Sequence, residues 1–456
     1  MEEYINLFER TIEKTIPKVD YIDIRAGKVN NTSISMKDSE IDEITNGINI
    51  SARIRVLNNG SWGFAYTTDI SKFNEITETA LKLSESLKGD TTLSEAKIIK
   101  DKIKTDVKIP FKDISVEEKQ TIMKEASQSA TVGQVNSTTA SYVDVESEEL
   151  LINSEGTQIQ INSSRIRMAL NAIATDGQIM QMGFKSIGGV KGFEAIATHD
   201  IEKFGRKIGE KANKLLKAEH APSGKFKIIA DPTLTGVMIH EALGHAAEAD
   251  LILQNDSILK DKLNTQIASD IVNIHDDATI KDGFGYYPYD AEGVKTQPNQ
   301  LVKNGELISL LSSRETASKL NMESSGNARS IISEAPIVRM SNTYLQPGEM
   351  NFEELIEDIP DGIYLKGSRG GQVETGKGIF QFNAAEGYKI KNGELTTHLR
   401  DVSLSGNILE TLKNVEAIGN DFKLTVGFCG KNGQTVPVGD GGPHTKINNA
   451  MVGGNN

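Results

Sequence analysis

The chain has 456 residues, enough for two or three domains, and a formal charge of −13. That acidic balance weighs against nucleic-acid binding and against anionic membranes, since both rely on Lys and Arg. One cysteine excludes an intrachain disulfide and fits a reducing cytosol, so a cytoplasmic protein is expected. No apolar run is long enough to span a bilayer, and the acidic start Met1-Glu2-Glu3-Tyr4 does not read as a signal peptide.

Glu2 to Ile16 reads as a helix, with Tyr4, Ile5, Phe8 and Ile12 along one side. Tyr21 to Arg25, Thr32 to Met36 and Ile48 to Val56 alternate apolar and polar residues. Asn46-Gly47 and Asn59-Gly60 are hairpin signals between such runs. A second helix is expected from Phe73 to Leu87, and Asp90 to Pro110 reads as a charged connection. Val116 to Ser127 is amphipathic. Strands follow, with Asn153-Ser154-Glu155-Gly156 as a turn. Ile201, Phe204, Ile208, Ala212 and Leu215 recur at helical spacing. Ala221-Pro222-Ser223-Gly224 marks a boundary. These readings divide the chain into an α+β region over 1–110, a middle α+β region packed with it over 111–222, and a β-rich region over 223–456. Trp62 reads as a core aromatic, and His199 and His220 as surface residues.

The chemistry concentrates after that boundary. Phe226 to Ala230 reads as a short buried strand, Asp231 as a helix N-cap and Pro232 as the first helical residue. The mostly apolar helix that follows carries His240, Glu241 and His245. In an ordinary zinc-hydrolase helix the histidines are four apart and face one metal. Here they are five apart, and five residues of regular helix turn about 500°, leaving the rings roughly 140° apart. The pair can chelate only if the helix widens or breaks, and Gly244 suits such a distortion. The alternative is two unrelated histidines, one in the core and one near a helix end. A third ligand would come from Cys429, the lone cysteine in what reads as a glycine-rich loop, from Glu248, or from His444.

Later segments are strand-rich. Lys303 to Leu307 and Lys391 to Leu395 share a Lys-Asn-Gly-Glu-Leu hairpin signature. Gly283 to Tyr289 reads as an ordered loop rich in tyrosine, with a site wall as the less favoured reading. Gly370, Gly371 and Gln372 lie in a segment whose backbone can approach a ligand closely, so an extended peptide could pair there as an added strand.

His240-Glu241-Ala242-Leu243-Gly244-His245, Met322 to Asn327, Gly370 to Val373 and Cys429 to Gly439 together resemble the TldD/PmbA family of zinc metallopeptidases. Val56 to Phe64 and Val452-Gly453-Gly454 extend the resemblance over nearly the whole chain. It implies one Zn²⁺ held by His240, His245 and Cys429, with Glu241 as catalytic base. It also implies a two-subunit assembly, either a homodimer or a pairing with a relative that lacks the metal motif. The expected fold is α+β: an antiparallel-sheet and helix domain, then a strand-rich catalytic domain with one metal-binding helix. The expected activity is hydrolysis of short or unfolded peptides, with no nucleic acid and no membrane involved. Arg314, Arg329, Arg339 and Tyr344 are candidates to bind an oxyanion or carboxylate, and Glu248 to orient a histidine. The competing expectation is a non-catalytic peptide-binding or assembly subunit with a structural metal.

Overall fold

The computed structural model of the chain describes residues 1–86 and 88–454. The N-terminal lobe rests on one seven-stranded sheet. Its order is Ser61–Thr67, Glu40–Asn58, Tyr21–Lys37, Val135–Asn153, Gln158–Thr175 and Lys100–Lys104, with Met180–Gly189 also paired to Gln158–Thr175. Tyr21–Lys37 pairs with Val135–Asn153 over fifteen positions, so 1–110 and 111–222 share one hydrogen-bonded layer. Helices Ile5–Thr15 and Phe73–Glu85 meet where the Phe8 and Phe73 rings pack 4.7 Å apart, tilted by 53°, in a buried cluster. Helices Val116–Ala130 and Ile201–Leu216 cover a second cluster built on Met123, Phe204 and Ile208.

Three expectations need correction. Asn46-Gly47 lies inside the strand Glu40–Asn58, and the turn falls at Asp38-Ser39 instead. Both residues there adopt positive φ, and Asp38 accepts a hydrogen bond from the Thr138 amide at 2.8 Å, which ties the turn to the next strand. The stretch from Asp90 to Pro110 contains a strand, Lys100–Lys104, which pairs in parallel with Gln158–Thr175. The helix expected from Phe73 ends at Glu85, and Leu87 is outside the described residues. Asn59-Gly60 does form its hairpin, with φ of 49° and 74°.

The C-terminal lobe holds two larger sheets. In one, Asp361–Glu374, Gly224–Ala230, Thr445–Gly453, Ser403–Asn407 and Ile379–Lys391 pair in that order, and the last pairs back to the first. The other ends in Asn342–Leu345, Gln434–Gly442 and, at its edge, Lys423–Lys431. The helix Pro232–Ile239 packs between the two sheets, against Asp361–Glu374 on one side and Gln434–Gly442 on the other. One apolar core surrounds it and includes Leu234, Met238, Leu243, Met340 and Val438. No helix among the described residues is long and apolar enough to cross a membrane.

Buried arginines fasten the lobes together. Arg55 reaches Asp23 on its own sheet at 2.6 Å and Glu292 of the other lobe at 3.3 Å. Arg53 donates to the Ala291 and Glu334 carbonyls, and Arg314 forms a two-pronged pair with Glu155 at 2.7 and 2.8 Å. Trp62 belongs to this seam: its indole donates to Glu315 at 3.0 Å and Arg55 stacks over its ring.

Candidate metal centre

The metal-motif helix starts as its sequence dictates. Asp231 accepts the Leu234 amide at 2.8 Å, Pro232 opens the helix, and regular α-helix runs to Ile239. From His240 to Gly244 the backbone is a π-turn, closed by the His245 amide donating to the His240 carbonyl. Bonding five residues apart rather than four brings positions 240 and 245 to nearly one side. The widened turn therefore converts the long spacing into a chelating one. Gly244 has ordinary helical dihedrals, so backbone freedom is not its role. A Cβ there would sit 2.0 Å from Met340 Sδ, so glycine is needed for close packing.

Cys429 comes from the other side. It lies in the strand Lys423–Lys431, not in a loop, and Asn432-Gly433 turns that strand back into Gln434–Gly442. Ligand atoms of His240, His245 and Cys429 all lie within 4.8 Å of one another. Cys429 Sγ is 3.3 Å from His245 Nε2, and the two imidazole rings stand nearly perpendicular, at 87°.

A carboxylate backs each histidine. Asp440 Oδ1 lies 2.8 Å from His240 Nδ1, and Glu248 Oε2 lies 3.1 Å from His245 Nδ1. Glu248 thus orients a ligand and is not one itself. It is fully buried and shares Lys431 with Asp250, with Nζ at 2.9 and 2.8 Å. Lys431 also donates to the Val338 carbonyl. With each Nδ1 facing a carboxylate, the Nε2 atoms are left for a cation, and two imidazoles with one thiolate suit zinc. The residues present fit that ion.

Charges in the cluster are strongly coupled. Burial pushes the Cys429 thiol up, but the two histidines outweigh it and bring it to about 5. Burial pulls His245 down, and Glu248 with Cys429 overcomes this to raise it to about 9. His240 is likewise raised, with Asp440 and Cys429 exceeding burial. Burial raises the Glu241 carboxyl above its ordinary value, with the histidines opposing. Glu241 keeps 28% of its side chain exposed, and its Oε2 lies 3.9 Å from His245 Nε2. It is the open, weakly acidic group beside the cluster.

The other candidates are placed elsewhere. His444 bonds to Tyr364 and Asp421 and does not join the triplet. Arg339 donates to the Cys429 and Gln434 carbonyls, and Arg329 to those of Met340 and Pro437. Both brace the cysteine hairpin. Arg314 belongs to the seam between the lobes, and Tyr344 stacks on His275. His199 and His220 are exposed. Gly371 and Gln372 pair with Phe382 and Gln381, while Gly370, at φ 87°, sits in a bulge of that strand. The tyrosine loop is more than a self-packed loop. Phe284, Tyr286, Tyr287 and Tyr289 wall a cavity of about 430 Å³ between the lobes.

Asp440 was not foreseen, yet the hairpin encodes it. With Asn432-Gly433 as the turn, Cys429 faces Val436 and Thr425 faces Asp440. Positions 425 and 429 are four apart on one strand, so Asp440 must share the face of Cys429.

Fold and site together define an α+β protein built around a metallopeptidase-type helix whose histidine pair is closed by a π-turn and a distant thiol. The chain belongs to the PmbA/TldA metallopeptidase family: residues 22–86 match its domain 1, 109–216 its central domain and 223–454 its C-terminal domain. A metalloprotease from Methanothermobacter thermautotrophicus is 57% identical over 437 residues, 96% of either chain. A zinc metalloprotease TldD homolog from Saccharolobus solfataricus is 31% identical over 440 residues, covering 95% of this chain and 96% of that one. The crystal structure of TldE from Thermococcus kodakarensis matches with a TM-score of 0.80 at 20% identity, over 98% of this chain and 100% of that chain, a likeness of fold.

Proposed function

We propose that this protein hydrolyses peptide bonds of short or unfolded peptides, with Glu241 as general base. The observation that carries the reading is the position of Glu241: on the π-turn itself, partly open, its carboxyl raised above its ordinary value by burial beside the histidine–cysteine cluster. His240, His245 and Cys429 would hold a zinc ion, which would supply Lewis acidity and lower the pKa of water. Glu241 takes the proton from water and hands it to the leaving amine. Glu248, hydrogen-bonded to His245 Nδ1, and Asp440, in charge contact with His240 Nδ1, favour the forms that present Nε2. Burial alone would raise the Glu248 carboxyl, but His245 first and Lys431 next hold it below its ordinary value, so it stays ionised inside the core.

Gly370, Gly371 and Gln372 serve substrate backbone in this reading. Their strand pairs with Gly224–Ala230 only as far as Leu365, so among the described residues one edge is without a strand partner from Lys366 onward. An extended peptide can add there, beside the π-turn. Action in the cytoplasm, and assembly as a homodimer or with a relative lacking the metal motif, belong to the same proposal. Ile41, Ile44 and Ile48, 40 to 59% exposed on one strand, support a partner-facing surface.

Glu241→Gln tests the assignment. Hydrolysis of an unstructured peptide should fall by about 10²–10⁴-fold while zinc content stays at one per chain. Loss of metal together with activity would contradict the division of roles. Chelator-resistant binding of peptide without turnover in the native protein would favour an assembly subunit with a structural metal.

A further inference from the structure

The cavity between the lobes is lined by cations that its own carboxylates do not neutralise. Arg25 is matched by Glu149 at 2.5 Å, and the Asp290 carboxylate already accepts the amides of Glu292, Val294 and Ala328. Arg165 and Arg167 have no such partner. They stand two apart on the strand Gln158–Thr175 and so share its face toward the cavity. Among the described residues Arg165 donates only to the Tyr286 carbonyl, at 3.1 Å. Arg167 makes no side-chain hydrogen bond or ion pair among the described residues. The Nε of each is buried and unsatisfied.

Their positions are held without a counter-ion. Phe284 and Phe428 meet edge to face with centroids 5.3 Å apart, Arg165 lies over Phe284 at 5.5 Å, and Arg167 over Phe428 at 5.6 Å. Aromatic faces fix two guanidinium groups side by side while leaving their N–H edges free. A guanidinium in a half-buried, apolar-walled cavity is costly unless an anion completes it, and paired N–H forks match a carboxylate. Burial first and the neighbouring Arg329 next bring Arg165 down to about 10, and Glu149, already paired with Arg25, opposes this without overcoming it.

Phe428 and Cys429 are adjacent on an extended strand, so their side chains leave by opposite faces. The arginine pair thus stands one strand's thickness from the metal cluster. We propose that Arg165 and Arg167 form a carboxylate-binding site, and that the peptides this protein takes carry an acidic side chain or a free C-terminus that docks there. The peptide nature of the ligand rests on the function proposed above; the carboxylate recognition does not.

The experiment measures binding of three pentapeptides by calorimetry to Glu241→Gln protein, where turnover does not intrude. One has a glutamate side chain and an amidated terminus, one has glutamine and a free terminus, and one has glutamine and an amidated terminus. At least one carboxylate-bearing peptide should bind about tenfold more tightly than the doubly neutral one. Which of the two does so identifies the source of the carboxylate. In the same background Arg165→Met with Arg167→Met should bring that ratio to about one. Raising salt from 50 to 500 mM in the parent should shrink it as well, which serves if the double variant does not fold. Equal binding of all three peptides, or a preference that survives both treatments, overturns the proposal. Because binding is read without turnover, an inactive native enzyme would sink the peptidase assignment alone.

Discussion

His240 and His245 carry the same side chain and differ in what stands behind it. Asp440 backs the first and Glu248 the second. The three carboxylates around the cluster divide by burial and partner. Glu248 is fully enclosed and held ionised by His245 and Lys431, against the burial that would raise it. Glu241 has no lysine, keeps an open face and is shifted upward. Only the latter is suited to take and return a proton. Asp440→Asn preserves shape but removes the charge behind His240. It should weaken zinc by about 10–100-fold in a chelator competition. Unchanged affinity would show that Asp440 does not orient the ring.

At the scale of elements, the centre depends on one helix and one hairpin meeting at close range. Gly236, on the helix, is where they touch: a Cβ would fall 2.7 Å from the Asp440 carbonyl carbon and the Gly441 amide. Backbone must move to admit it. Gly236→Ala should therefore cost about 1–3 kcal/mol of stability and also weaken zinc. Gly47→Ala, with nothing within 4 Å of the new carbon, is the control. A thermal melt and a metal titration on the two variants make the comparison. The closed sheet behind the helix has an acid-labile element. Glu386 lies 3.0 Å from His398, 3.2 Å from Lys211 and 3.5 Å from Lys366. Burial pushes its carboxyl up, but these partners prevail and hold it at about 2, below the usual 4.5. The unfolded chain thus binds the proton first as pH falls. The stabilisation is complete above about pH 4.5 and is lost as pH drops through about 2. Glu386→Gln should flatten that part of a melting-temperature profile against pH; an unaltered slope would refute the assignment.

For the whole molecule, the seam between lobes is polar and buried. Arg55 joins Asp23 and Glu292 with all three side chains enclosed. Arg55→Met would remove the nearest cation from two buried carboxylates. Among the described residues this leaves Asp23 only Arg53 at 4.0 Å and Glu292 only the Arg314 amide. Breaking such a pair costs about 3–5 kcal/mol. Urea unfolding should register that loss, and any carboxylate binding in the cavity formed by both lobes should weaken along with it. A variant as stable as the parent would mean that solvent reaches the pair.

The parts of this protein legible in its sequence are those set by neighbours along the chain. Asp231-Pro232 opened a helix because capping and a fixed φ act within one turn. Asn59-Gly60, Asn304-Gly305 and Asn392-Gly393 made hairpins because both residues tolerate positive φ. The five-residue histidine spacing demanded a widened turn, since a regular helix would have splayed the rings. Tertiary structure decided the rest. It moved a turn from Asn46-Gly47 to Asp38-Ser39 through a contact with Thr138, and it set Gly244 against Met340. It also carried Cys429 across 184 residues to His245, and turned Arg165 and Arg167 onto two aromatic rings from the other lobe. Backbone geometry acts over a few residues and can be read from them, whereas charge pairing and close packing join residues whose separation along the chain carries no trace of their contact.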